Sequence, residues 1–417
     1  RIRPREAGPE SDDLSNILGE SNPLRFHTLA PNGLHALAVQ QDGSSFIWDL
    51  ESGDLRELSV PDDQALAASS NRRRSAEFSS DSTCVALMRG LHDVEIYDVE
   101  TGRPVNRFRG HESVMRSIRF SHDNTKIMTT GEDGLAVLWT TEEKSSVRKA
   151  TFDTAHDDAV YQIEIDDSGQ RMISGSFDSR VHVWDVQTHE LICSYDRHDE
   201  GRRIVAVDLQ PEGNKAASLD SGGMIHVWDV NSGNELFRID PGSSNFANYL
   251  RNTGGGRRGE ILSFPAVMST GLFSPDGRYI VSFQGESMHV FDSNDGQRLV
   301  SLDGATEHGW AVFSFDSKLV AVFEMDNNLV RVFDVKTGQL VREFREHGYA
   351  MCTATFSPVD QRIVTGGMSK AIVWNPRTGE QVELEGRHGY TASCRFSNDG
   401  RFVLTGNSDN VARIWNS

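Results

Sequence analysis

The chain has 417 residues, 37% of them hydrophobic and 37 of them glycine, so it holds apolar material for a sizeable core and is not a disordered polymer. Against 61 acidic residues stand 42 basic ones, a formal net charge of -19, which excludes a protein that coats DNA or anionic lipid through its overall charge. No window approaches the ~18 consecutive apolar residues of a membrane-spanning helix, and Cys84, Cys193, Cys352 and Cys394 lack CxxC spacing and read as free thiols.

The chain opens Arg-Ile-Arg-Pro-Arg-Glu, without Met or the apolar stretch of a signal peptide, and reads as a fragment or processed product with an N-terminal tail over residues 1–10. From residue 11 to the end one pattern returns: two apolar residues, an aromatic, then Asp or a substitute. Its aromatics are Trp48, Tyr97, Trp139, Trp184, Trp228, Phe291, Phe333, Trp374 and Trp415, spaced by 41–49 residues except for one interval of 63. That period is the length of a four-stranded propeller blade. Inside each period, short alternating runs are broken by Asp-Gly, Pro-Asp-Gly or Ser-Gly, the sign of antiparallel strands joined by tight hairpins. The grammar is clearest over residues 385–416. No apolar stripe with a 3.6-residue period appears, so the fold is expected to be all-β.

Gly110-His111 and Trp184-Asp185 resemble the two signatures of the WD40 repeat, and the resemblance runs over residues 11–417. It implies a hydrogen-bonded chain within each blade: a His before the first strand, a Ser or Thr on the second, an Asp in the next turn and the Trp on the third. Three periods supply all four members: His111, Thr129, Asp133 and Trp139; His156, Ser174, Asp178 and Trp184; His388, Thr405, Asp409 and Trp415. Each buried polar group then meets a partner. The second period has Tyr97 for Trp and Leu91 where Asp should stand, while the sixth and seventh use Phe291 and Phe333, so packing alone is expected to hold those three blades.

The resemblance implies a single closed propeller. Nine blades are expected, with eight as the alternative, in which the weakly matching first or second period would fold outside the ring. The ninth period stops two residues after Trp415, and residues 12–18 align with an outer strand, so the N-terminal segment is expected to complete the last blade. The long interval holds a Gly- and Arg-rich insertion at about 241–261. It lacks the Gly-Lys-Ser/Thr ending of a P-loop and reads as a surface loop.

Loops between an outer strand and the next inner strand gather on the docking face that the resemblance implies. Trp310, Tyr349 and Tyr390 each follow a His by two residues and are candidate partner anchors, although packing against a neighbouring blade is the plainer reading. Arg72, Arg73, Arg74, Arg202, Arg203, Arg257, Arg258 and Arg387 belong to the same class of loop. They point to an anionic partner, an acidic peptide, a phosphorylated segment or a phosphate-bearing polymer, with ordinary solvated charge as the alternative. No HExxH motif, paired Cys/His ligands or repeated calcium loop occurs, so neither a metal nor a cofactor is expected. Inner-strand residues such as Ile118, Val207, Ala354 and Cys394 are apolar or small. The expectation is therefore a non-catalytic, monomeric, cytoplasmic scaffold that binds proteins or peptides, with the sensor of a longer signalling protein as the sub-reading that family analogy adds; the alternative is a propeller enzyme with an active site in its channel.

Overall fold

The computed structural model describes residues 24–40, 43–58, 76–89, 92–121, 123–141, 148–152, 156–166, 168–242, 272–284, 287–304, 309–324, 328–345, 347, 351–367, 370–384, 391–407 and 412–417. Among them every regular element is a strand. The strands form nine antiparallel meander sheets, the blades of an all-β propeller: seven of four strands and two of three. Blades one to nine span residues 24–57, 76–109, 115–152, 160–195, 204–239, 279–302, 309–344, 351–384 and 391–416. The count is nine rather than eight because the weakly matching first and second periods each build a complete four-stranded sheet.

Blade four shows how the sequence produces a blade. Val160–Ile165, Arg171–Ser176, Val181–Asp185 and Leu191–Tyr195 pair in order, with Ile173 opposite Val183 and Ser174 opposite His182. The second and third strands are almost wholly buried, whereas the outer strand alternates towards solvent. The hairpins between third and fourth strands close on the residue that follows the signature aromatic. Asp185 accepts the main-chain N–H groups of Gln187 and Thr188 at 2.8 and 2.7 Å, and Asp49, Asp98 and Asp229 cap equivalent turns. The bond from Thr188 holds the Asp185 carboxyl below the usual range. These aspartates are turn chemistry.

A blade buries its faces only against its neighbours, and small residues set how closely it can approach. A Cβ on Gly175 would lie 2.6 Å from Val207 Cγ1 and 2.8 Å from Ile204 Cγ2 of blade five. The glycine of the Gly-His signature has a similar reason, since a Cβ on Gly110 would meet Trp139 Cη2 at 2.8 Å.

The chain divides into two compact units, one of residues 1–129, 138–149 and 347–417 and the other of 130–137 and 150–346. In the first unit, Ala36, Trp48 and Leu50 of blade one share a core with Phe402, Leu404 and Ile414 of blade nine, so the first and last blades are packed neighbours. Val364 and Val373 of blade eight meet Phe396 and Trp415 in another core. In the second unit, Ile173 and Val183 of blade four pack on Val207 and Trp228 of blade five, and a larger core joins blades five, six and seven. Blade nine has three strands among the described residues; the closing strand expected at 12–18 lies outside them, as does most of the insertion expected at 241–261.

Candidate functional site: blade networks and the loop face

Blade four contains the complete four-membered network. Trp184 Nε1 donates to Ser174 Oγ at 3.1 Å, Ser174 Oγ lies 2.9 Å from His156 Nε2, and His156 Nδ1 lies 3.0 Å from Asp178. A carboxylate only accepts, so Nδ1 carries the imidazole proton and Nε2 accepts from the Ser174 hydroxyl. Burial alone would raise the Asp178 carboxyl, but the His156 hydrogen bond and main-chain N–H groups outweigh it and hold the group below its ordinary range.

In blade three, Thr129 Oγ1 lies 2.8 Å from His111 Nε2 and accepts the Trp139 indole at 2.9 Å, while Asp133 accepts the main-chain N–H of Leu135 at 3.2 Å. In blade nine, Trp415 donates to Thr405 at 3.0 Å, while His388 and Asp409 lie outside the described residues. Two further networks escaped the sequence pattern. In blade five, His198 reaches Ser218 at 2.8 Å and Asp220 at 3.3 Å. Its Asp follows the Ser by two residues rather than four, so it sits at a strand end instead of in the turn. The Trp228 indole nitrogen has no hydrogen-bond partner among the described residues, and the ring stacks on Tyr195 at 5.1 Å. In blade eight, His347 reaches Thr365 at 2.8 Å.

Burial, with Lys370 adding to it, pushes the His347 imidazole down to about 4. A histidine whose folded pKa is depressed contributes stability that is complete above its unfolded value near 6.5 and is lost as pH falls towards 4. Between pH 7 and pH 5, urea unfolding is therefore expected to show about 2 kcal/mol less loss for His347→Asn than for the wild type. An equal loss in both proteins would show that His347 is not the group responsible.

Packing alone does not hold blades two and seven, which corrects the expectation from Tyr97 and Phe333. Blade two replaces the Trp network with buried charge. Arg89, 2% exposed, donates to the Gly43 carbonyl of blade one at 2.7 Å and to Tyr97 at 3.1 Å, and its Nε faces Glu95 at 3.3 Å. Tyr97 donates to Glu95, and burial pushes its phenol up to about 12. Asp93 on the same strand takes Arg107 and Arg109 at 2.8 and 2.7 Å. In blade seven, buried Glu324 pairs with Arg331, which also reaches Glu343 at 3.1 Å. Blade six adds a bond between His289 and Ser301 at 3.1 Å.

The loop face is visible in part. Arg203 is exposed and lies over the Phe177 ring at 4.8 Å, and Phe177 stacks on Tyr161 at 5.3 Å. Arg202 is half-buried over Gly222. The pattern search missed Phe177 and Tyr161 because neither recurs from blade to blade. Trp310 lies on the innermost strand of blade seven, Gly309–Phe313. Tyr349, Tyr390, Arg72, Arg73, Arg74, Arg257, Arg258 and Arg387 lie outside the described residues. The innermost strands are less uniformly apolar than expected. Ile118, Val207, Ala354 and Cys394 are buried, but their neighbours Arg119, Asp208 and Arg395 and the equivalent Glu164 are charged. Cys84, Cys193 and Cys394 are free thiols, with burial pushing Cys193 up to about 11. No group of three or more His, Cys, Asp or Glu among the described residues could hold a metal ion, and no helix among them is long and apolar enough to cross a membrane.

Residues 102–140, 147–185 and 381–416 match the family model described as WD domain, G-beta repeat. The chain is 25% identical to Cell division cycle 20.4, cofactor of APC complex, of Arabidopsis thaliana, with 58% of this chain and 54% of that protein covered. It is 25% identical to the guanine nucleotide-binding protein subunit beta of Zea mays, with 53% and 59% covered, and 22% identical to Striatin-4 of Mus musculus, with 64% and 36% covered. The chain thus spans about half the length of the first two and about a third of Striatin-4. Among solved structures, the computationally designed Ika8 protein aligns over 100% of this chain and 99% of its own, with a TM-score of 0.56 and 17% identity, a likeness of fold alone. With the nine sheets, the periodic aromatics and the blade networks, these matches support placing the chain among the WD40-repeat β-propellers.

Proposed function

We propose that the chain is a non-catalytic scaffold that binds other proteins or peptides through its loops, in keeping with relatives named as a complex cofactor and as a G-protein subunit. The observation that carries this reading is the use of polar side chains inside the blades. His156, Ser174 and Asp178 lie in contact as a hydrolytic triad would, yet Ser174 is fully buried and its oxygen also accepts the Trp184 indole. No substrate carbonyl can reach it, and related groups recur in other blades. Such networks make a rigid ring element and leave recognition to the loops.

The partner on this reading carries an acidic or phosphorylated segment. Arg203, held over Phe177, presents guanidinium donors on a rigid aromatic base, and Arg202 stands beside it. Trp310, Tyr349 and Tyr390 are the proposed aromatic anchors, and Arg72 to Arg74, Arg257, Arg258 and Arg387 the further cations. A monomer in the cytoplasm, without cofactor or general nucleic-acid binding, fits the free thiols and the net charge of -19. Service as the sensor of a longer signalling protein belongs to the same proposal.

Peptide-array binding tests it. Replacing Arg202 and Arg203 by Glu is expected to weaken acidic and phosphorylated peptides at least about tenfold without moving the melting temperature, because the two loop cations lie outside the blade networks. Unchanged binding would end the anionic-partner reading. Binding that survives this change but is lost when Trp310, Tyr349 and Tyr390 become Ala would transfer recognition to the aromatics.

A further inference from the structure

Ahead of Tyr279–Gln284, the first named strand of blade six, Phe273 forms an isolated bridge with Ile280. The main chain there still needs acceptors for its N–H groups. Asp208, on the innermost strand Ile204–Leu209 of blade five, supplies one. Its carboxyl accepts the N–H of Phe273 at 2.9 Å. Leu272 and Phe273 are buried in the core that also contains Val205, Ala206 and Ala217. One side chain therefore ties the start of blade six to blade five.

The equivalent position of blade four is another carboxylate. Asp208 pairs with Ala217, the third residue of its neighbouring strand, and Glu164 pairs with Ile173, the third residue of its own. Gln162 stitches the two innermost strands together: its amide nitrogen donates to Glu164 at 3.1 Å and its oxygen accepts the N–H of Val207 at 3.1 Å. Glu164 is thus the charged group acting on Asp208 from blade four, while Leu272 and Phe273 bring no charge from blade six. Burial, with this like charge adding to it, outweighs main-chain hydrogen bonding and pushes the Asp208 carboxyl up to about 7.

We propose that Asp208 is a proton-operated clip: with its proton bound it holds the Leu272–Phe273 backbone against blade five, and on releasing that proton to solvent it lets the segment loosen. A protonated carboxyl still accepts through its carbonyl oxygen and no longer sets two negative charges on adjacent strands. Opening exposes Asp208 to water, where it ionises in the ordinary aspartate range. The closed form binds the proton more tightly, so linkage favours closure as pH falls below about 7 and leaves opening at a plateau above it.

Hydrogen exchange of the peptide containing Leu272 and Phe273, corrected for intrinsic rates between pH 5 and 8.5, tests the clip in the full chain. Protection is expected to rise by up to about tenfold per pH unit below the transition and to be flat above it. Asp208→Asn, which keeps an acceptor oxygen and cannot ionise, is expected to give high protection at every pH. Glu164→Gln removes the like charge and is expected to move the transition to lower pH. A flat wild-type profile, or a pH dependence that persists in Asp208→Asn, overturns the proposal. Should Asp208→Asn fail to fold, an unshifted transition in Glu164→Gln overturns it equally.

Discussion

Replacing Arg89 by Met is expected to cost the fold about 3–5 kcal/mol, as seen when one partner of a buried ion pair is removed. Arg89 and Glu95 are each about 2% exposed, and the guanidinium also satisfies the Gly43 carbonyl and the Tyr97 hydroxyl. Without it, Glu95 stays buried beside a phenol, with Arg107 at 3.7 Å as a partial partner, and the Gly43 carbonyl of blade one loses its bond from Arg89. Most of the loss should therefore reflect the stranded carboxylate rather than the worth of the pair. The triple variant with Arg89→Met, Glu95→Leu and Tyr97→Phe is expected to recover most of it, because an apolar replacement of the whole network leaves no orphan. Urea unfolding of both proteins checks this. A single-variant loss below about 1 kcal/mol would mean that water reaches the network and that blade two rests on packing after all.

Ser174→Ala is expected to cost about 2–4 kcal/mol, since it leaves two buried groups unpaired at about 1–3 kcal/mol each. The groups are the Trp184 indole N–H and His156 Nε2, both served by one hydroxyl. Ser174→Thr should cost far less, because Thr129 and Thr405 accept the indole in blades three and nine, and Thr365 meets His347 in blade eight. Loss of His156 anchoring should also speed amide exchange at Asp157, whose N–H bonds to Asp178 at 2.9 Å. Equal destabilisation by Ala and Thr would place the effect in packing volume rather than in the hydrogen bonds.

These two cases mark how far the sequence was legible. The blade-four network lies within one repeat, and its members sit at offsets repeated in blade three, so the resemblance to WD40 repeats located it. Blade five kept the chemistry but moved its acid from turn to strand end, so a fixed-offset search passed over Asp220. Arg89 and Asp208 carry no periodic mark at all. Their partners Gly43 and Phe273 stand 46 and 65 residues away, in the adjoining blades.

The all-β class and the nine periods were determined by the sequence alone, because alternation, turn residues and recurring aromatics are local properties that each repeat states afresh. Only the tertiary structure decided that Trp48 shares a core with Ile414 across the two ends of the chain, that buried charge replaces the missing Trp in blade two, and that Asp208 faces blade six beside Glu164. Those contacts arise where neighbouring blades press together. Which side chains meet at such a seam depends on how closely two sheets approach, a distance that glycines such as Gly175 help to set.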